Sequence, residues 1–226
     1  FAVINIETND IPTKSENQTV VGVDLGIKTL ATLSDGTIFE NPKALKSNIK
    51  SLKRLQRGLS RKVKGSNNRK KQQQRLAKKH YKVSCIRSSA IHQATSYITK
   101  NYGTIVLEDL NVKGMSKNRK LSQEISDVGF GEFRRQIEYK SKWYGVEVIM
   151  ADRFYPSSKI CSCCRHKKET LKLSERTYSC SNCGAIIDRD LNAAKNLASL
   201  GTTHSVCGSK ACGAEDRKST RLNSSH

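Results

Sequence analysis

Two Cys-x-x-Cys pairs, Cys161/Cys164 and Cys180/Cys183, stand fifteen residues apart. Each pair makes a tight turn that aims two thiolates at one point. Two such turns on adjacent hairpins close a tetrahedral site suited to zinc. Four protein ligands leave no open position for a substrate, so this zinc is expected to be structural. The insert is also too short to hold itself together by burial alone, and a metal staple supplies what its core lacks. Reduced structural cysteines or a redox pair are the other readings of the same pattern. The first residues show neither the basic start nor the apolar stretch of a secretory signal, which favours metal over disulfides. They also lack an initiator Met, so the chain is expected to start in mid-protein. Cys163 competes with Cys164 on spacing alone. Cys85 is expected in the core, and Cys207 and Cys212 receive no role.

The second constraint is charge. The 226 residues carry 41 Lys or Arg against 20 Asp or Glu, a formal net charge of +21. Such an excess repels itself in the compact state and points to a polyanionic partner, nucleic acid before a membrane surface. No apolar run is long enough to span a bilayer. Eighteen of the cations, and no acid, fall between Asn41 and Leu107. Within residues 43–100, Leu45, Ile49, Leu52, Leu55 and Leu59 recur at helical spacing. After a polar break at residues 65–68, Leu76, Val83, Ile86, Ile91, Ala94 and Ile98 do the same. The pattern predicts a basic helical hairpin whose cations meet phosphates rather than bases.

Around it, residues 2–6 alternate like a strand and 9–18 read as a polar linker. Residues 20–24 form a buried-type strand reaching Asp24. Residues 29–33 and 37–39 complete an antiparallel start to a sheet. Residues 104–107 form a strand that delivers Glu108. Residues 111–127 read as a mobile polar loop. A helix over 130–144 and a strand over 146–150 follow. After the cysteines, 188–200 is helical and carries Asp190. The tail, 201–226, is expected to be disordered, and 217–226 looks like a translated sequencing adapter. Phe154, Tyr155 and Trp143 offer rings that could stack on bases, but core packing is the expected reading. Three acids far apart in sequence, brought together from strand ends and a helix start, can hold hard cations for two-metal phosphodiester hydrolysis. Position alone leaves Asp109 as a rival to Glu108, and allows Asp188 and Asp190 both to be helix caps.

Val23-Asp24-Leu25-Gly26-Ile27-Lys28 with Ala31–Gly36 resembles the first RuvC motif of the TnpB family. Residues 107–112, Leu-Glu-Asp-Leu-Asn-Val, resemble the second, and 188–197, Asp-Arg-Asp-Leu-Asn-Ala-Ala-Lys-Asn-Leu, the third. Residues 157–184 resemble that family's zinc ribbon. The resemblance covers about residues 1–200 in order. It implies an α/β, RNase H-like (RuvC) mixed sheet flanked by helices, with the basic hairpin and an inserted zinc ribbon. Residues 1–18 would be the end of a missing N-terminal domain and its linker. The nuclease domain would span 19–156, the ribbon 157–184, and the third-motif helix 185–200. The resemblance further implies Asp24, Glu108 and Asp190 as catalytic Mg²⁺ ligands, and Cys161, Cys164, Cys180 and Cys183 as zinc ligands. It also implies a DNA target, a guide RNA in the intact protein, and a prokaryotic cytoplasmic, nucleoid-associated location. The expected function is a transposon-encoded, metal-dependent DNA endonuclease domain, often called a transposase. A non-catalytic nucleic-acid-binding fragment is the alternative.

Overall fold

The computed structural model describes residues 17–172 and 174–207. Strand β1 (Val20–Leu25) pairs antiparallel with β2 (Thr29–Leu33), and β2 pairs antiparallel with β3 (Ile38–Glu40). Asp35 closes the hairpin by accepting hydrogen bonds from the Thr37 N–H and hydroxyl, and Gly36 takes the positive φ of the turn. On its other side β1 pairs in parallel with β4 (Thr104–Glu108), and β4 in parallel with β5 (Glu147–Ala151). The sheet order is β3-β2-β1-β4-β5. The antiparallel start expected from the sequence is therefore present, and two parallel strands make the sheet mixed.

Parallel neighbours require crossovers, and helices fill them. Between β3 and β4 lie α1 (Ala44–Ser60) and α2 (Asn67–Asn101), the expected helical hairpin. Leu52 packs with Leu76 and Val83 between them. Ile91 and Ile98 of α2 reach the main core with Val21, Val23, Ile105 and Leu107. Between β4 and β5 lie α3 (Val112–Met115), α4 (Ser122–Val128) and α5 (Phe130–Tyr144). Residues 111–127 are thus not a mobile loop. Ile125 and Val128 of α4 are buried in the same core as Phe133 and Ile137 of α5. Their segment is polar because most of its side chains face solvent, and its one buried acid, Asp127, serves another helix. Lys43 precedes α1 with φ 45° and gives it no side-chain cap. Asp127 accepts from the N–H groups of Leu45 (2.9 and 2.8 Å) and Lys46 (3.2 Å), and pairs with Arg87 of α2 at 2.9 Å.

The opposite face of the sheet carries α6 (Arg189–Cys207), with Leu197 against Val106 and Ala151. A Cβ at Gly22 would stand 2.0 Å from the Ala194 carbonyl, and one at Gly201 2.5 Å from Val20 Cγ1. Glycine at both positions lets α6 lie flush on β1, closer than any side chain would permit. The helix runs past Leu200, where the sequence pattern ended it. The rest of the expected tail, from 208 and including Cys212, lies outside the described residues, as do the strand at 2–6 and most of the linker at 9–18. Three core expectations are corrected. Cys85 is exposed, Trp143 is 66% exposed and Phe154 is 87% exposed. Each lies on a helix or loop surface that no other described element covers. No described helix is long and apolar enough to cross a membrane.

Candidate active site and metal centre

Asp24 and Glu108 sit near the same ends of two neighbouring parallel strands, β1 and β4. Asp190 is the second residue of α6, which Gly22 allows to descend onto β1. All three line one cleft of about 760 Å³. Burial, and then the carboxylates of Glu108 and Asp190, push the Asp24 carboxyl well above its usual range, against the opposing pull of Arg189. Like charges gathered in a half-buried place favour the neutral acid, or an added cation. Glu108 is also raised by burial, although the Ser157 hydroxyl, which donates to it, works the other way.

The ambiguities left by sequence resolve geometrically. Asp188 Oδ1 accepts from the N–H groups of Asp190 (3.0 Å) and Leu191 (3.1 Å), so Asp188 caps α6. Asp190 faces the cleft, held by Arg189 (3.1 Å) and Arg176 (3.8 Å). Asp109 pairs instead with Arg134 at 3.1 Å and with Arg153, outside the cleft lining. Lys28, Lys159, Lys172 and Arg176 line the same cleft. The cleft is thus lined by both carboxylates and cations.

The four cysteines of the two C-x-x-C pairs also converge. Their sulfurs lie within 4.8 Å of one another, with Cys161–Cys183 at 3.7 Å and Cys164–Cys180 at 3.5 Å. A tetrahedron of Zn–S bonds of ~2.3 Å places sulfurs ~3.8 Å apart, so this set could hold a metal such as zinc. Cys163 is exposed and outside the cluster. Strands β6 (Thr177–Ser179) and β7 (Ile186–Asp188) form the ribbon's second hairpin. Tyr178 fills its centre and donates to the Lys159 and His166 carbonyls.

Residues that sequence reading missed join the two centres. Asn192 and Asn196 of α6 are fully buried. Asn192 donates to the Ile160 carbonyl (2.7 Å) and accepts from the Ser162 N–H (2.9 Å). Asn196 donates to the carbonyls of Ser157 (2.8 Å) and Ile160 (2.6 Å). The helix that carries Asp190 thus grips the first cysteine turn and the Ser157 segment beside Glu108. The signal was available in the sequence as two asparagines four residues apart on an otherwise apolar face.

The family model OrfB_IS605, described as "Probable transposase", matches residues 3–119. A second, "Cas12f1-like, TNB domain", matches 130–197. The chain is 42% identical over 188 residues to a "Putative RNA-guided DNA endonuclease" of Streptomyces pristinaespiralis, covering 83% of this chain and 46% of that protein. It is 38% identical over 204 residues to "Putative RNA-guided DNA endonuclease InsQ" of Escherichia coli, covering 84% and 50%. The chain spans about half the length of these curated relatives. Among solved structures, a "Cas12f1-sgRNA-target DNA complex" shares the fold with a TM-score of 0.58 at 20% identity, covering 85% of this chain and 52% of that one.

Proposed function

The chain belongs to the OrfB_IS605 family of TnpB-like proteins, and on that premise we propose that it is the nuclease portion of an RNA-guided DNA endonuclease. The observation that carries the reading is the meeting of Asp24, Glu108 and Asp190 in one cleft with cationic walls. The sheet order, with antiparallel strands first and parallel strands last, supports an RNase H-like, RuvC-type fold. In such a fold the first strand supplies the central acid.

Asp24, Glu108 and Asp190 would hold two Mg²⁺ ions. The raised Asp24 and Glu108 carboxyls fit that role, because a bound cation would offset the burial that raises both and the neighbouring carboxylates that further raise Asp24. Bound Mg²⁺ would supply an activated water and stabilise the leaving oxygen. The protein's own part is positioning. Ser157 orients Glu108, the Asp188 cap fixes the start of α6 and so the place of Asp190, and the Lys and Arg walls hold the scissile backbone. Cys161, Cys164, Cys180 and Cys183 would bind a structural zinc. Guide RNA and target DNA are the proposed partners. The relative's complex contains both kinds of nucleic acid, and α1 and α2 present cations without a single acid. We assign the protein to the prokaryotic cytoplasm on the same basis.

Cleavage of single-stranded DNA by the purified chain, with and without Mg²⁺ and beside Asp24→Ala, tests the site. Mg²⁺-dependent cutting that falls by at least about a hundredfold in the variant is expected. Cutting that survives Asp24→Ala would remove Asp24 from the mechanism. Salt-sensitive binding with no cutting would support the second reading, a nucleic-acid-binding segment without turnover.

A further inference from the structure

Phe154 is 87% exposed, the most exposed large apolar side chain among the described residues. It is not exposed for want of local order. The Asp152 carboxylate accepts its N–H at 2.8 Å, and the Tyr155 N–H donates to the Asp152 carbonyl at 3.0 Å. Arg153, on one side, is tied to Asp109. Tyr155, on the other, packs against the α6 cluster and donates its hydroxyl to the Asn196 carbonyl at 3.3 Å. The loop thus holds Phe154 in a fixed setting with its ring in water.

Its location names the partner. Ala151, at the end of β5, is the register partner of Glu108. Phe154 follows three residues later, and the next residues, Tyr155, Pro156 and Ser157, line the same cleft as the acids. Phe154 thus adjoins in the chain the segment that forms one wall of the cleft. Lys159, Lys172 and Arg176 line the same cleft. An exposed aromatic side chain on the segment leading into a cleft lined by cations suits a nucleobase whose phosphates enter that cleft, and every base has a face to stack whatever its sequence. A protein partner would use the ring without the cations.

We propose that Phe154 is a stacking platform for a base of single-stranded nucleic acid at the mouth of the cleft, a positioning residue that sets how the strand enters. The inference rests on the nuclease reading of the cleft, yet stacking can be measured without turnover. A base one strand-step from the scissile phosphate is held by Phe154, while the walls hold the backbone. Stacking on one aromatic contributes on the order of 1–3 kcal/mol by alanine substitution, about 5- to 150-fold in affinity.

The test uses single-stranded DNA oligonucleotides carrying one 2-aminopurine, moved through successive positions, with the full chain in buffer without Mg²⁺. Quenching confined to one or two adjacent positions is expected. It should be lost in Phe154→Ala with affinity weakened about tenfold, and kept in Phe154→Trp. Thermal melting of both variants should match the parent, because the ring supports no core. Where the parent cuts, Phe154→Ala should raise KM far more than it lowers kcat. Uniform quenching along the strand, or an unchanged affinity and pattern in Phe154→Ala, would overturn the proposal. Loss of cutting in Asp24→Ala with localised quenching intact would uphold both assignments separately. Localised quenching in a chain that never cuts would retain the platform and reject the nuclease.

Discussion

At the scale of single residues, the acids could be found in the sequence but their roles could not be told apart. Asp109 adjoins Glu108, and Asp188 lies two residues before Asp190. Only the fold separates them: Glu108 and Asp190 line the cleft, whereas Asp109 pairs outside its lining and Asp188 caps α6. The same geometry makes a stability prediction. Asp24 ionises in the folded chain at higher pH than its ordinary 3.8, because of burial first and neighbouring carboxylates second. Below that ordinary value both states keep the proton, so the residue carries no stability cost. As pH rises past it the unfolded chain ionises first. The folded state is then disfavoured by an amount that grows until Asp24 ionises in place. Asp24→Asn removes that cost. In buffer free of divalent cations it should melt a few degrees above the parent at pH 7, with the gap closing toward pH 4. Mg²⁺ should raise the melting point of the parent and not of the variant. A gap that stays constant across this range would show that charge in the cleft is not its source.

At the scale of elements, the helical hairpin was legible because Leu and Ile recur at helical spacing through 43–100. The helices within 111–127 were not, because their buried side chains are few and their most buried acid acts on a distant helix. Asp127 supplies to α1 the cap that the Lys43 position cannot give. It also balances the partly buried Arg87, so the basic hairpin is fastened at one point to α4. Asp127→Ala leaves the Leu45 and Lys46 N–H groups without their acceptor and Arg87 without its carboxylate partner, although Arg87 Nε keeps the residue-127 carbonyl. A loss of about 2–4 kcal/mol is expected by chemical denaturation. Amide exchange should quicken first at Leu45 and Lys46. Asp127→Asn, which keeps an acceptor oxygen, should lose less. If both variants unfold alike and α1 exchanges no faster than the sheet, the capping role fails. The close seat of α6 was equally hidden in sequence. A glycine in a strand reads as a weakness until the helix that needs its missing Cβ is in view.

At the scale of the whole molecule, the sheet and the cysteine ribbon are stabilised by different means. The sheet buries Val21, Val23, Ile105, Leu107 and Phe133 in one continuous core. The ribbon buries little more than Tyr178 and its own cysteines. Burial on that scale does not hold a fold by itself, which is why the proposed zinc matters and why the C-x-x-C spacing carried so much of the sequence reading. What that spacing could not convey is that the ribbon is also hydrogen-bonded to the helix bearing Asp190, through Asn192 and Asn196. The two supports make a prediction together. Treatment with a strong zinc chelator should release one metal per chain and speed amide exchange across 160–188, while β1 and β4 stay protected. Because Asn196 also holds the Ser157 carbonyl, the disturbance should spread to the segment beside Glu108. DNA cutting would then fall even with Mg²⁺ in excess, and return when zinc is restored. Asn196→Ala should weaken the same joint by about 2 kcal/mol with the metal still bound, and so lower activity without loss of zinc. Equal exchange in the ribbon before and after chelation would mean that the cysteines hold no structural metal. Loss of protection throughout the sheet would mean that ribbon and sheet unfold as one unit, not as two that share a helix.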